Sequence, residues 1–314
     1  MSCPLKHLSN RQPRISDSSF SFQFGSCTLS TMNRESAVLP SCTVVNQGSG
    51  AWAFEEHARH MTQVLWVEVS DTPREFNYLL CWEKTSPPSE KLFIPFESIR
   101  VASDKRLQAE LFLKHKISTP ETHLLNTPQE VNALVSHSPK EWALKYPISC
   151  GASGHRLLKP AETIPADWPT PYIVQEFVRM ENPEVYRLYG VAGDIFGFNV
   201  RRFPSGVKPS PWVAHARGAR YVHLDKPPSE AKDQAHATLS AAGLLESFGC
   251  VDLIQQNGKW LVLEIGTDGV FNHVDRDIND PEILGEMDRR IAEAFWAHLQ
   301  HKPWGGYGWK LKGS

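Results

Sequence analysis

The chain has 314 residues, with 33 lysines and arginines against 35 aspartates and glutamates, and 41% of it is hydrophobic, which is material for one large or two medium cores. A net charge of −2 supplies no global field for nucleic acid or an anionic membrane, so a small-molecule or peptide partner is expected. Six cysteines without a C-x-x-C pair argue against a zinc site or a disulfide framework and make the reducing cytoplasm the expected location; no apolar run reaches the roughly 20 residues that cross a bilayer. Oligomeric state, a homodimer included, is left open.

Residues 1–38 are serine-rich, carry Arg11, Arg14 and Arg34, and lack periodicity, as in a disordered or processed tail; a targeting segment and a start at Met32 both fit. "CTVVNQGSGAWAFEEHARHM" reads as a strand, a glycine turn and a helix, and "VLWVEVS" as a second strand, giving a small Rossmann-like α/β domain over 39–100. Its GSG lacks the rest of a G-x-G-x-x-G fingerprint, so a dinucleotide oxidoreductase is not expected. A larger domain is expected over 101–300, opening on a helix capped by Ser103 and ending before Pro120. "TPQEVNALVSH" predicts a helix, "EWALKYP" and "PYIVQEFV" strands, and "VYRLYGVAGDIFGFNVRRF" a hairpin around Ala192–Asp194. A helix over 229–248, capped by Ser229 and stopped by Gly249, leads to strands "CVDLI" and "KWLVLEI" across Asn257-Gly258. Asp280-Pro281 opens a last helix with Leu284, Met287, Ile291 and Phe295 in one stripe, and 301–314 form a tail.

Two places carry chemistry. In "WALKYPISCGASGHRLL" a strand-end lysine, Lys145, precedes a Ser/Gly loop whose backbone N–H groups can cradle an anion; a surface turn is the bland alternative, and the loop is no Walker A match. Asp252 and Glu264 interrupt two otherwise apolar strands, a costly placement unless each carboxylate pairs with a buried arginine, caps a strand end, or shares a divalent cation.

In chain order, Asp104-Lys105, Lys145 with its loop, "VQEFV", Arg187, Arg201 and Arg202, then Asp252 and Glu264 resemble the ATP-grasp superfamily over about residues 100–280. The nearest likeness is to peptide-modifying carboxylate-amine ligases, and it implies that residues 101–300 form an ATP-grasp fold of two α+β lobes. The resemblance implies ATP, and Mg²⁺ or Mn²⁺ in its place, as cofactors. Lys105 and Lys145 would touch the phosphates, and Ser149, Gly151, Ser153 and Gly154 would close over them. Gln175, Glu176 and Val178 would border the adenine, Glu184 would reach the ribose, and Arg187 would join the nucleotide site. Arg201 or Arg202 would neutralise the transferred phosphoryl group, Arg217 would face the substrate, and Asp252, Glu264 and Asp268 would hold the metal.

The chain departs from the family in three places: Gly266 stands where an asparagine ligand is usual, leaving Asp268 or Asn272 to replace it; Val185 stands for an acid; His155 stands for a loop glycine. His155, His215 and His273 are not assigned as bases. The rival reading is an ATP-binding regulatory or partner protein that has lost ligation, with Gly266 in its favour. Metal sharing requires Asp252 and Glu264 on one face. A strict two-residue turn at Asn257-Gly258 would separate them, whereas a three-residue loop of Gln256-Asn257-Gly258 with a G1 bulge at Gly258 would set 252 opposite 262 and leave Glu264 a diagonal neighbour about 7–8 Å away. The bulged turn is therefore expected.

Overall fold

A computed structural model describes residues 41–48, 52–149, 151–267 and 277–299, so both expected tails lie outside the described residues. The first part of the chain is a parallel sheet: β1 (Cys42–Asn46), α1 (Trp52–Leu65), β2 (Glu68–Ser70), β3 (Phe76–Cys81) and β4 (Lys91–Leu92), in strand order β2-β1-β3-β4. The residues expected to open the second strand belong to α1, because Met61, Val64 and Leu65 continue its buried stripe; Trp66, at φ 57°, ends the helix and leaves only a three-residue strand.

Two helices follow in place of one, α2 (Phe96–Ser103) and α3 (Lys105–His115). Ser103 ends the first, and the cap of the second is Asp104, whose carboxylate accepts from the Arg106 N–H at 2.9 Å. β5 (Thr122–Leu125), α4 (Pro128–His137), β6 (Trp142–Lys145), β7 (His155–Leu158) and β8 (Tyr172–Glu176) form an antiparallel sheet in order β5-β8-β6-β7. Thr127 and Glu130 close a capping box at the start of α4.

The five-stranded antiparallel sheet contains β9 (Glu184–Val191), β10 (Asp194–Arg202), β11 (Arg220–His223), β12 (Phe248–Gln256) and β13 (Lys259–Gly266), in order β11-β10-β9-β12-β13. Between β11 and β12 runs α5 (Ser229–Ala241), and α6 (Pro281–Ala297) comes last. Ser229 is the first residue of α5 rather than its cap, which is Pro228. The helix stops well before Gly249, at Gly243 with φ +67°; Gly249 lies inside β12. Asp280 caps α6 as expected, accepting from Glu282 and Ile283 N–H groups.

The last hairpin differs from expectation in an instructive way. Gln256 pairs with Lys259 across a strict two-residue turn, with Asn257 at φ 50° and Gly258 at φ 77°. The bulge lies farther down the ladder: Leu253 pairs with Val262 but Asp252 with Glu264, leaving Leu263 as the extra residue. The two acids are thus direct cross-strand partners on one face. Leu263 and Glu264 both line the same cavity, which adjacent residues of a regular strand do not do.

One apolar core runs from the first sheet (Val44, Tyr78), through α1 and α6 (Met61, Phe295), to the five-stranded sheet (Leu188, Val251). The β5-β8-β6-β7 sheet has its own core around Val131, Trp142, Leu144 and Val174. A smaller cluster of Val178, Val185, Val213, Ala219 and Ile254 joins the two sheets. Among the described residues no helix is long and apolar enough to cross a membrane.

Candidate active site

A cavity lies between the two antiparallel sheets. Ala143 and Lys145 of β6 and Gln175 of β8 face it from one side; Arg201 of β10, Asp252 and Ile254 of β12, and Glu264 of β13 face it from the other. Two-residue alternation puts Ala143 with Lys145, and Asp252 with Ile254, on inward faces. The connection after β8 adds Phe177, Val178 and Met180 as apolar wall.

Lys145 is 7% exposed, and burial, opposed by Glu264 and helped by Lys105, pushes its ammonium down to about 8. Lys105, the first residue of α3, approaches Glu264 to 3.6 Å and donates from Nζ to the Ser149 carbonyl at 2.8 Å. The start of α3 therefore holds the Ser/Gly loop as well as the cavity. Burial alone would raise the Glu264 carboxyl, but Lys105, Lys145, Arg201 and Arg187 outweigh it and hold the group below the usual carboxylate range.

Ser149, Gly151, Ala152 and His155 line the cavity, whereas Ser153 and Gly154 do not. Gly154 has a packing reason instead: its carbonyl accepts from Tyr146 N–H at 2.7 Å, and a Cβ there would come within 2.4 Å of the Tyr146 Cβ. Burial, then Lys145, Lys105 and Arg217, push His155 down to about 2, so this ring is neutral. Its Nε2 is buried with no hydrogen-bond partner among the described residues.

At the end of β8 and just beyond it, the Glu176 and Phe177 N–H groups donate to the Glu121 and Glu141 carbonyls at 2.7 and 2.8 Å. The Val178 N–H has no hydrogen-bond partner among the described residues, which leaves a donor at the apolar wall. Glu176, at the end of β8, lines the cavity while its carboxylate pairs with Lys140 at 2.9 Å, and Gln175 donates to Thr122 Oγ1 at 2.9 Å.

The arginines divide by face. Arg201 enters the cavity; Arg202, its neighbour, points away and approaches Glu184 at 3.6 Å. Glu184 accepts from Tyr186 OH at 2.5 Å and does not line the cavity. Arg187 is buried against Asp252, donating from Nε at 2.6 Å and from Nη2 at 2.9 Å. Arg201 Nη2 donates to the same Asp252. Arg217 is exposed on a 3₁₀ turn (His215–Arg217), close enough for its charge to act on His155. Asp268, Asn272 and His273 lie outside the described residues.

Two features carried no sequence signal. Trp212, between β10 and β11, sets its ring edge-on to Phe177 (5.1 Å between centroids) and to His155 (5.2 Å), roofing the cavity between the Val178 segment and the loop. Asp277 accepts from Tyr221 N–H at 2.9 Å and approaches His215 Nε2 at 3.4 Å, pinning that turn. A lone Trp in a proline-rich stretch and an Asp far along the chain disclose neither contact.

No protein-family model and no curated protein matches the chain. Solved structures do. The ATP-grasp ligase PsnB, complexed with a minimal precursor, is similar with a TM-score of 0.59 at 15% identity, over 83% of this chain and 99% of that one. D-alanine–D-alanine ligase from Bacillus anthracis, complexed with ATP, gives 0.58 at 11% over 82% and 97%. The D-cycloserine synthetase DcsG gives 0.58 at 15% over 82% and 99%. The fold is the ATP-grasp fold.

Within that ATP-grasp fold, an apolar slot with a donor at Val178 and two lysines beside it fits a base and a phosphate tail. The metal expectation fits less well. Both oxygens of Asp252 are taken by arginines, Gly266 brings no side-chain donor, and among the described residues no three His, Cys, Asp or Glu side chains stand together as a metal site.

Proposed function

We propose that this chain is an ATP-dependent carboxylate-amine ligase acting on a small molecule or peptide. The observation that carries the reading is the convergence of Lys105 and Lys145, from separate elements, on one charged end of an apolar cavity in an ATP-grasp fold. The reaction class is attack of a substrate carboxylate oxygen on the γ-phosphorus of ATP with release of ADP. An amine nitrogen then attacks the acyl carbon of the resulting acylphosphate, and the C–O bond to phosphate breaks as the C–N bond forms, with loss of phosphate and of one amine proton. Lys105 and Lys145 hold the phosphates, Arg201 offsets charge on the transferred group, and the Trp212 roof keeps water from the acylphosphate. A peptide acceptor gains support from PsnB, whose structures include a precursor peptide.

The second reading, an ATP-binding partner protein without ligation, is favoured by Gly266 and by the engagement of Asp252. Incubation with ATP, Mg²⁺ and pooled carboxylates, amines and peptides separates the two. Substrate-dependent release of ADP and phosphate supports the ligase; ATP binding without release supports the partner protein.

A further inference from the structure

Asp252 is 2% exposed, the least accessible of the described carboxylates facing the cavity. It stands directly opposite Arg187 on one neighbouring strand and opposite Glu264 on the other. Arg187 takes both of its oxygens in a fork, and Arg201 takes Oδ2 again. The two guanidinium groups are themselves fixed: both lie over the Tyr221 ring, at 5.7 and 5.4 Å, and Arg201 Nη1 donates to Tyr221 OH at 3.1 Å. Tyr221 is held in turn through its N–H by Asp277.

We propose that Asp252 is an arginine anchor rather than a metal ligand, so that the nucleotide-free protein holds no divalent ion here and the phosphates of ATP are bound by side-chain cations. A metal at Asp252 would have to share Oδ1, already held by Arg187, or Oδ2, already facing both guanidinium groups, or expel one of them into a buried place without a counter-charge. Around this end of the cavity Lys105, Lys145, Arg187 and Arg201 meet only two described carboxylates, an excess of two positive charges that repels a free dication and attracts a triphosphate. Glu264, 37% exposed at its side chain, is the carboxylate left in reach of a metal that arrives already bound to nucleotide.

The inference rests on the ATP reading, and two measurements on the full chain test it separately. The first titrates Mn²⁺ into nucleotide-free protein, following free Mn²⁺ by its electron paramagnetic resonance signal. No stoichiometric uptake is expected; uptake of one ion per chain that disappears in Asp252→Asn would overturn the proposal. The second compares ATP binding by calorimetry in EDTA and in Mg²⁺. Dissociation constants within about threefold of each other are expected, and a loss of about tenfold or more in EDTA would overturn it. Asp252→Asn should lower the melting temperature in metal-free buffer, because two buried arginines lose their partner. Failure to bind ATP in either buffer would sink the nucleotide reading alone, since the Mn²⁺ titration still decides what Asp252 does.

Discussion

Lys145 combines burial with a phosphate-binding assignment, and the two make opposite demands on its charge. Free, its ammonium titrates at about 8. A phosphate beside it favours the protonated form, so its pKa rises on binding and ATP should take up protons near and above that pH. Affinity should be flat below about 7 and fall as pH rises through 8, and calorimetry at about pH 8.5 in buffers of different ionisation enthalpy should show a positive proton number. Absence of proton uptake would detach Lys145 from the phosphates. Lys145→Met should weaken ATP binding about tenfold or more while leaving the melting temperature equal or higher, because it removes a charge from a buried place. Gly154→Ala acts on packing instead. With its new Cβ forced toward Tyr146, it should cost about 1–3 kcal/mol of stability, read as a lowered thermal midpoint.

At the scale of elements, what the sequence disclosed and what it hid have separate physical causes. A lysine or carboxylate interrupting an apolar strand is visible in one dimension, and Lys145, Asp252 and Glu264 all reach the cavity. Strand pairing is not visible in that way. The Asn257-Gly258 turn is the two-residue type its residues favour, and the expectation went wrong by asking the turn to supply a bulge that the ladder supplies at Leu263. The partners of Asp252 were hidden for the same reason: Arg187 lies 65 residues away, and only the β9–β12 register brings them together. Caps failed by a single position, Asp104 for Ser103 and Pro228 for Ser229, since neighbouring residues compete for one role. The segment carrying Trp212 gives a prediction of its own. Trp212→Ala removes the ring that covers His155, so hydrogen exchange should quicken across 151–155 and stay unchanged in the β8 strand. Equal exchange in variant and wild type would mean the tryptophan is no roof.

For the whole molecule, the distribution of cores predicts how it comes apart. The first sheet, α1, α6 and the five-stranded sheet share one core, although composition places a boundary near residue 100. The β5-β8-β6-β7 sheet has a separate, smaller core, joined to the rest by the cluster at Val178 and Ile254. Native-state hydrogen exchange should therefore find β6 and β8 opening at lower free energy than β9 and β12, with β1 and β3 opening together with the latter pair. On the proposed reading ATP touches Lys145 on one side and Arg201 on the other, and its addition should then raise protection in both sheets. Equal opening energies in all strands without nucleotide would contradict the two-core division.

The buried amine at Lys145 also makes the protein chemically addressable. At pH 8 about half of its population is neutral, whereas an ordinary surface lysine is neutral to well under about 1%. A free amine is a nucleophile, and this one lines the cavity between the two antiparallel sheets. An adenosine bearing an acylating or sulfonyl fluoride group in place of its phosphates should thus modify one lysine out of the whole chain, and excess ATP should block it. Peptide mapping of the labelled protein would read the site directly, and the same reagent would count active pockets in a preparation before any substrate is known.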